Sequence, residues 1–430
     1  MTVVKQGKGW NVMGCFTVEG GHRLSGALTV QGSKNGALPL LAASVLVNGT
    51  TCLHNCPDLT DIRTALLILN GFGCRTVFEN NCAVIDSTFA DRFSIADETM
   101  REMRSSIVFL GALLGRFGRA EVSAPGGCEI GLRPIDLHIE SLKAMGCVFE
   151  EQGSRLLCSC PNGLTGATVA LSFPSVGATE NLLLAASVAK GKTRVINAAR
   201  EPEIIELANY LNRCGARISG AGEGILEIEG VPSLTGGEAA VAGDRIAAVT
   251  YMTCCAVTGG RLTVRGLDFN SLMPLIAPFE KSGCRLERRG AEIDFTAPER
   301  LKGFGMVRTM PYPGFPTDSQ AAFTAMMAAS DGTSMVVETI FESRFKYIAQ
   351  LNKMGADIRV EGRIAVIRGV ERLHSAELIS PDLRGGSALV TAALGAQGFS
   401  RIEAVRYIDR GYENFEGVLS SLGAVIERKT

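Results

Sequence analysis

The sequence predicts an α/β protein of six repeated units, arranged as two globular groups of three with helices inside and sheets outside. A helix-like segment ending in glycine followed by alanine or cysteine recurs every 68 to 73 residues. A second glycine series, between an Ala/Leu-rich helix and a β-branched strand, recurs every 66 to 73 residues. Segments 40–46 and 182–186 are apolar nearly all round, which is typical of helices buried among other elements. A period near seventy exceeds the roughly 20 to 50 residues of common solenoid repeats, which favours two globular groups.

The glycines mark two connections from a helix to a strand in each of the six units. We expect them at the C-terminal ends of helices, where the left-handed backbone conformation favours glycine. The first series consists of Gly73, Gly146, Gly215, Gly283, Gly355 and Gly423. The second series consists of Gly49, Gly118, Gly191, Gly260, Gly332 and Gly398.

Composition indicates a globular cytoplasmic protein. The 430 residues are 46% hydrophobic and 20% charged, enough for two domains with ordinary cores. A net charge of −1, a single tryptophan and no basic stretch interleaved with aromatics argue against nucleic-acid binding. Neither a signal peptide at the start nor an apolar run of about 18 residues is present, so no membrane association is expected. Without an export signal, the 13 cysteines are interpreted as reduced thiols.

The segment Gln31–Pro39 is a small-residue turn between a strand and a buried helix. Its Lys34 can meet a phosphate beside the backbone amides at a helix start. A solvated loop lysine is an equally good interpretation of this residue alone.

A glycine-rich loop carries Cys128 within the segment 124–138. The thiol is preceded by Gly126 and Gly127 and followed five residues later by Arg133. Exposure and a nearby cation are what make a cysteine chemically competent, so Cys128 is the predicted working thiol. For His138, a structural hydrogen bond is the favoured role.

Arginines recur where strands or helices turn. Taken singly, each arginine with its neighbouring acid is more typical of a surface ion pair of little energetic consequence. Together, guanidinium groups and a lysine suit a small ligand that bears both phosphate and carboxylate. The arginines concerned are Arg104, Arg133, Arg344, Arg384 and Arg410, and Asp318 belongs to the same group of motifs. No C-x-x-C spacing, Walker loop or GxGxxG loop was found, so no metal and no nucleotide cofactor is predicted.

Several motifs together resemble the enolpyruvyl transferase family, and within it the UDP-N-acetylglucosamine 1-carboxyvinyltransferases. The resemblance covers nearly the whole chain. The motifs on which it rests are Gly32–Asn35, Met103–Ile107, Pro125–His138, Phe173–Thr179, Ala199–Glu203, Phe315–Asp318, Phe341–Phe345 and Asp409–Glu413.

The resemblance implies an inside-out α/β barrel in each of two domains, with three repeats apiece. The expected first lobe is 35–242, the second is 13–34 with 243–430, and residues 1–12 form an N-terminal extension. The shikimate-pathway enolpyruvyl transferase is the nearest alternative, but that family does not carry the cysteine loop. A non-catalytic repeat scaffold is the alternative from another functional class.

The resemblance also implies the substrates, phosphoenolpyruvate and UDP-N-acetylglucosamine, and a role for each residue. Cys128 would be the general acid and Asp318 the general base. Phosphoenolpyruvate would be bound by Lys34, Asn35, Arg133, Arg344, Arg384 and Arg410. The binding site of the sugar nucleotide would be lined by Asn35, Arg104, Arg133, Pro134, Ile135, Asp136, Leu137, Phe173, Pro174, Ser175, Val176, Asp318 and Ile340. Peptidoglycan synthesis, and with it cell wall biogenesis, cell shape, cell division and sensitivity to fosfomycin, would follow from this activity.

Overall fold

The computed structural model describes residues 14–95, 99, 103–123, 135–153 and 155–429. These residues divide into two compact units. The described residues of the first unit lie within 32–242, and those of the second lie within 14–31 and 243–429. The second unit therefore contains both ends of the described chain.

The described chain begins with two strands that belong to the second unit, β1 (Cys15–Glu19) and β2 (Ser25–Thr29). The helices of the first unit are α1 (Lys34–Ala43), α2 (Thr60–Gly71), α3 (Phe109–Phe117), α4 (Asp136–Ala144), α5 (Val176–Ala186) and α6 (Pro202–Arg213). Its strands are β3 (Val47–His54), β4 (Arg75–Glu79), β5 (Cys82–Asp86), β6 (Arg119–Ser123), β7 (Val148–Gln152), β8 (Arg155–Ser159), β9 (Thr168–Ala170), β10 (Lys192–Ile196), β11 (Arg217–Ser219), β12 (Ile225–Glu229) and β13 (Leu234–Ala240).

The second unit repeats the same alternation. Its helices are α7 (Arg245–Val257), α8 (Met273–Lys281), α9 (Gln320–Ala328), α10 (Ile348–Lys353), α11 (Leu383–Gly395) and α12 (Phe415–Ser421). Its remaining strands are β14 (Arg261–Arg265), β15 (Arg285–Arg289), β16 (Glu292–Thr296), β17 (Gly305–Arg308), β18 (Thr333–Val337), β19 (Asp357–Glu361), β20 (Ile364–Arg368), β21 (Glu377–Ile379), β22 (Phe399–Glu403) and β23 (Val425–Lys429).

The described residues of each unit form three small sheets. In the first unit the strand orders are β13-β3-β5-β4, β6-β8-β7 and β11-β12-β10-β9. In the second unit they are β15-β16-β14-β2, β17-β18-β20-β19 and β21-β22-β1-β23. The four-stranded sheets share one plan, in which three antiparallel strands are joined by a parallel strand at one edge.

The helices that open each repeat lie inside the sheets. Helices α1 and α5 of the first unit bury nearly every residue, and α7, α9 and α11 do the same in the second unit. Helices apolar on all sides need other elements around them, and the sheets supply that cover. Helices inside and sheets outside were predicted, and the structure confirms this.

The first glycine series is confirmed. All six of its members have a φ between 85° and 105°, and each follows the last turn of a helix. The second series is partly wrong. Gly118 caps α3, but other members lie in the turn that leads into a strand or, for Gly49, within β3. At Gly260 the left-handed residue is the preceding Gly259, and a Cβ on Gly260 would overlap the backbone of Leu24.

Polar side chains cap the first turns of several buried helices. Ser33 and Ser175 accept hydrogen bonds from backbone amides of α1 and α5, and Asp244 and Asp382 do the same for α7 and α11. Each cap satisfies donors that a helix leaves unpaired at its start. The caps therefore fix the helix starts that carry the predicted site residues.

Among the described residues, no helix is both long and apolar enough to cross a lipid bilayer.

Candidate active site

Lys34 is the first residue of α1, directly after the Ser33 cap. Its ammonium lies 3.4 Å from Asp61 Oδ2, and the lysine side chain is 13% exposed. Asn35 follows it and is half-buried. The lysine is thus held at a helix N-terminus, where the helix dipole and the amides favour an anion. This is the position that the sequence predicted.

Glu206 of α6 packs against the start of α1. Its Oε1 accepts a 2.7 Å hydrogen bond from the amide of Ala242, and a Cβ on Gly36 would overlap its Oε2. Burial raises the pKa of Glu206 to about 7. Nothing around this acid in the sequence distinguishes it from a surface glutamate.

A buried histidine joins the start of α4 to the middle of α5. His138 is buried, and its Nδ1 accepts a 2.8 Å hydrogen bond from the Asn181 amide. Asn181 also donates to the carbonyl of Ile107 and accepts from the amide of Gly111 at 2.5 Å. Burial lowers the pKa of His138 to about 4, although nearby Asp136 opposes the shift. The structure agrees with the predicted structural role.

Two described groups of predicted sugar-nucleotide residues lie at helix starts of the first unit. The segment Phe173–Val176 enters α5, with the ring of Phe173 40% exposed. Asp136 is exposed at the first position of α4, and Ile135 and Leu137 on either side of it are half-buried. These side chains therefore leave atoms accessible to a ligand.

In the second unit, Asp318 bridges two buried arginines. Its Oδ1 accepts a 2.6 Å hydrogen bond from Arg344 Nη2, and its Oδ2 accepts one of 3.3 Å from Arg384 Nη2. Both arginine side chains are 5% exposed, whereas that of Asp318 is 28% exposed. Asp318 and Arg384 are thus in contact although they lie 66 positions apart in the sequence. The sequence predicted that these three residues converge, and their contacts confirm it.

Arg384 is held from its other side by Tyr412. Its Nη1 donates a 3.2 Å hydrogen bond to the Tyr412 hydroxyl, which in turn donates to Ser387 Oγ at 3.1 Å. Burial lowers the pKa of Arg384, but Tyr412, Asp318 and Asp244 outweigh it, so that the pKa is raised. The guanidinium therefore stays charged in a buried setting.

Glu338 organises the turn that presents Asp318. Its Oε2 accepts from the hydroxyl of Thr317, and its Oε1 accepts from the hydroxyl of Thr309. The same Oε1 accepts from the amide of Ile340 at 2.8 Å. Glu338 is 1% exposed and fixes Thr317 and Ile340 relative to each other. Nothing in the sequence around Glu338 predicts this role.

Two guanidinium donors beside Asp318 have spare capacity. Within the described part of the chain, the Nε atoms of Arg344 and Arg384 are buried and have no hydrogen-bond partner. Buried donors are normally paired, so such a pair marks a place where an anionic group gains hydrogen bonds on binding. A carboxylate fits the planar donor pattern of arginine.

Arg410 ends the short 3-10 helix Val405–Arg410, two residues before Tyr412, and is half-buried.

Three predicted site residues, Cys128, Arg133 and Pro134, lie outside the described residues, as does the side chain of Arg104.

Comparison with known proteins places this architecture in a family. A model of the EPSP synthase (3-phosphoshikimate 1-carboxyvinyltransferase) family matches residues 18–419. UDP-N-acetylglucosamine 1-carboxyvinyltransferase 2 of Caldanaerobacter subterraneus subsp. tengcongensis is 47% identical over 416 residues, which cover 97% of this chain and 100% of the relative. UDP-N-acetylglucosamine 1-carboxyvinyltransferase of Lawsonia intracellularis is 44% identical, with 96% and 98% of the two chains covered. The chain belongs to the UDP-N-acetylglucosamine 1-carboxyvinyltransferase family.

Solved structures support the fold of this family member. The enolpyruvyl transferase NikO from Streptomyces tendae superposes with a TM-score of 0.88 at 23% identity, over 97% of this chain and 99% of NikO. EPSP synthase from Acinetobacter baumannii gives a TM-score of 0.74 at 19% identity, with 97% of this chain and 100% of the other covered. The two-domain α/β enolpyruvyl transferase fold implied by the sequence motifs is therefore confirmed.

Proposed function

We propose that the protein transfers the enolpyruvyl group of phosphoenolpyruvate to the 3-hydroxyl of UDP-N-acetylglucosamine, with release of phosphate. The observation that carries the proposal is Asp318 bridged between Arg344 and Arg384, two buried cations with unpaired Nε donors among the described residues. Close relatives that carry this activity in their names support the choice of acceptor.

The cations divide between the two anionic ends of phosphoenolpyruvate. Arg344 and Arg384 suit the carboxylate because each guanidinium offers a planar pair of donors. Lys34, with Asn35 beside it at the start of α1, suits the phosphate. Arg133 and Arg410 complete the proposed phosphate contacts. Preorganised cations favour the charge that builds on these groups in the transition state.

The reaction is an addition followed by an elimination. The sugar 3-hydroxyl oxygen bonds to the phosphate-bearing carbon, Asp318 takes the hydroxyl proton, and the Cys128 thiol gives a proton to the methylene carbon. The bond from carbon to the phosphate oxygen then breaks, and phosphate leaves with its electrons. Loss of a proton from the new methyl group restores the double bond.

The same proposal assigns the sugar nucleotide a set of contact residues. These are Asn35, Arg104, Arg133 to Leu137, Phe173 to Val176, Asp318 and Ile340. The exposed ring of Phe173 and the exposed carboxylate of Asp136 support this assignment, since both have atoms available to a ligand.

The same proposal gives the protein a place in the cell. Transfer to UDP-N-acetylglucosamine is the first committed step of peptidoglycan synthesis, and it would take place in the cytoplasm and support cell wall growth, shape and division. Fosfomycin would then be an inhibitor.

Phosphate release with two alternative acceptors tests the proposal. We expect release from phosphoenolpyruvate in the presence of UDP-N-acetylglucosamine and background release with shikimate 3-phosphate. The reverse preference would favour the shikimate-pathway alternative. Background release with both acceptors, from a folded sample, would favour the non-catalytic scaffold.

A further inference from the structure

A cluster of metal-binding side chains lies on one sheet of the first unit, apart from the residues described above. Cys52 and His54 lie on β3, and Cys82 begins the neighbouring strand β5. Cys52 Sγ is 3.5 Å from Cys82 Sγ and 3.5 Å from His54 Nε2, and Cys82 Sγ is 3.8 Å from His54 Nδ1. One ligand atom from each of the three residues lies within 4.8 Å of the other two.

Strand register places these side chains on the same face. Residues Thr51 and Leu53 of β3 point into the core, so Cys52 and His54, which alternate with them, point outward. Leu53 pairs with Ala83, which sets Cys82 opposite His54 and diagonal to Cys52. The three groups therefore meet because of backbone pairing.

A fourth possible ligand lies on the adjoining strand. Glu238 of β13 pairs with Cys52, and its carboxylate is 3.8 Å from His54 Nε2. The Glu238 side chain is 78% exposed, so it can rotate toward the thiols at little cost. Two thiols, an imidazole and a carboxylate form a complete tetrahedral donor set.

The distances are close to those of a tetrahedral zinc site. With bonds of about 2.3 Å to sulfur and about 2.0 Å to nitrogen, tetrahedral ligand atoms lie about 3.5 to 3.8 Å apart. The two sulfurs are 3.5 Å apart, and they contact different nitrogens of His54, Nε2 at 3.5 Å from Cys52 and Nδ1 at 3.8 Å from Cys82. With a single nitrogen as ligand, the three atoms lie within 4.8 Å of one another, so a small side-chain rotation brings all three to zinc-binding distances. Thiolate and imidazole ligands also select zinc over magnesium or calcium.

A disulfide fits the same place less well. Cys52 and Cys82 are diagonal partners across antiparallel strands, and such pairs have Cα atoms about 7 to 8 Å apart. Bridged cysteines usually lie closer than about 7 Å, so a disulfide would need the strands to shift.

We propose that Cys52, His54 and Cys82 bind a zinc-type divalent cation on the outer face of the β13-β3-β5-β4 sheet, with Glu238 or water as fourth ligand. The site does not depend on the enzymatic activity. It joins β3 to β5 and, through Glu238, to β13, so the bound cation stabilises this sheet. The cofactor prediction from sequence did not include it, because its residues are brought together by strand register and not by a C-x-x-C spacing.

Metal titration of the reduced, chelator-treated protein tests the proposal. We expect Zn²⁺ to bind with a stoichiometry of one by calorimetry, and Co²⁺ to give thiolate-to-metal charge-transfer absorption. Cys82→Ser and His54→Ala should each weaken Zn²⁺ binding by more than about 100-fold, because even outer partners of metal ligands contribute 10- to 100-fold.

His22→Ala is the matched control, since His22 is also partly exposed and lies 3.5 Å from a carboxylate, Glu19, in the second unit. It should leave Zn²⁺ affinity unchanged. Zn²⁺ binding that survives both Cys82→Ser and His54→Ala, or Co²⁺ binding without thiolate absorption, would overturn the proposal. So would a Cys52–Cys82 disulfide in the purified protein combined with no metal uptake after reduction.

Discussion

At the scale of single residues, the second unit holds two permanently charged groups in its interior around one carboxylate. Such an arrangement is costly to desolvate and is stable because Asp318 and Tyr412 pair with the guanidinium groups, while Tyr412 in turn donates to Ser387. Buried, partly unpaired arginines are more readily explained by ligand binding than by stability.

Arg384→Lys tests the role of the planar donor. A lysine keeps the charge but loses the paired donors toward Tyr412, Asp318 and the substrate carboxylate. We expect turnover to fall by about 30- to 1000-fold, corresponding to about 2 to 4 kcal/mol of transition-state stabilisation. Steady-state phosphate release measures the effect, and thermal unfolding verifies that the variant is folded.

Arg401→Lys is the matched control, since Arg401 is an exposed arginine paired with Glu403 at 3.3 Å on β22. It should retain full turnover. Equal turnover of the two folded variants would show that Arg384 does not bind the reacting substrate.

Cys128 is expected to react with the epoxide fosfomycin, because its loop thiol belongs beside a phosphate-binding cluster in the proposed site. Mass spectrometry of digested protein should find the adduct on the Cys128 peptide. Cys128→Asp should abolish the adduct while leaving a proton donor. An adduct spread evenly over several cysteines, or absent from Cys128, would contradict the assignment.

His138 makes the stability of the first unit dependent on pH. The native state keeps this imidazole neutral until a pKa of about 4, whereas an unfolded histidine takes up its proton near 6.5. The unfolded state therefore binds more protons between these values, and the contribution of His138 is lost as pH falls from about 6.5 to about 4. The loss amounts to about 3 kcal/mol at most.

Denaturant unfolding of wild type and His138→Gln across this pH range measures the contribution. We expect the difference between the two proteins to change most between pH 6.5 and 4. His22→Gln, at a partly exposed site, should follow the wild type. Parallel stability curves for wild type and His138→Gln would rule out the proposed proton linkage.

The candidate site was predictable where local sequence determines position. Lys34 lies at a helix start because the small residues before it form a capped turn. Glu338 was not predictable, since it follows an ordinary apolar strand and gains its partners from residues 309 and 317. Tyr412 likewise becomes a partner of Arg384 through packing across 28 positions.

At the scale of elements, the buried helices approach so closely that some glycines have no room for a side chain. A Cβ on Gly111 of α3 would overlap the carbonyl oxygen of Asn181 in α5 and lie 2.9 Å from its Cα. These are backbone atoms, so the helices themselves would have to move apart.

Gly111→Ala should therefore destabilise the protein by about 1 to 3 kcal/mol, as overpacking of a core does. Thermal unfolding should show a melting temperature lower by several degrees. Gly71→Ala is the matched control, because Gly71 also lies in a helix but a Cβ there meets no atom within 4 Å. That change should leave stability equal or slightly higher. Equal effects of the two substitutions would contradict the packing account.

Element type and order were predictable to a large extent because the repeat is marked by glycines with a fixed backbone conformation. The pairing of strands was not, since β1 and β2 join sheets with strands far along the chain. Strand pairing of this kind depends on how repeats distant in sequence pack together, and local sequence does not encode that packing.

At the scale of the whole molecule, the formal charge of −1 gives no general attraction for anions. In the proposed function, recognition of the two anionic substrates therefore rests on local cations such as Lys34, Arg344 and Arg384. This is consistent with a family member that binds small molecules at fixed positions.

The fate of the bridging oxygen of phosphoenolpyruvate tests the central claim most directly. Enolpyruvyl transfer breaks the bond from carbon to this oxygen, whereas hydrolysis of the phosphate ester at phosphorus breaks the other bond. With ¹⁸O in the bridging position and UDP-N-acetylglucosamine as acceptor, we predict that mass spectrometry will find the label in the released phosphate and an unlabelled enolpyruvyl ether of the sugar nucleotide. Label retained in pyruvate, with unlabelled phosphate and unchanged sugar nucleotide, would contradict the account.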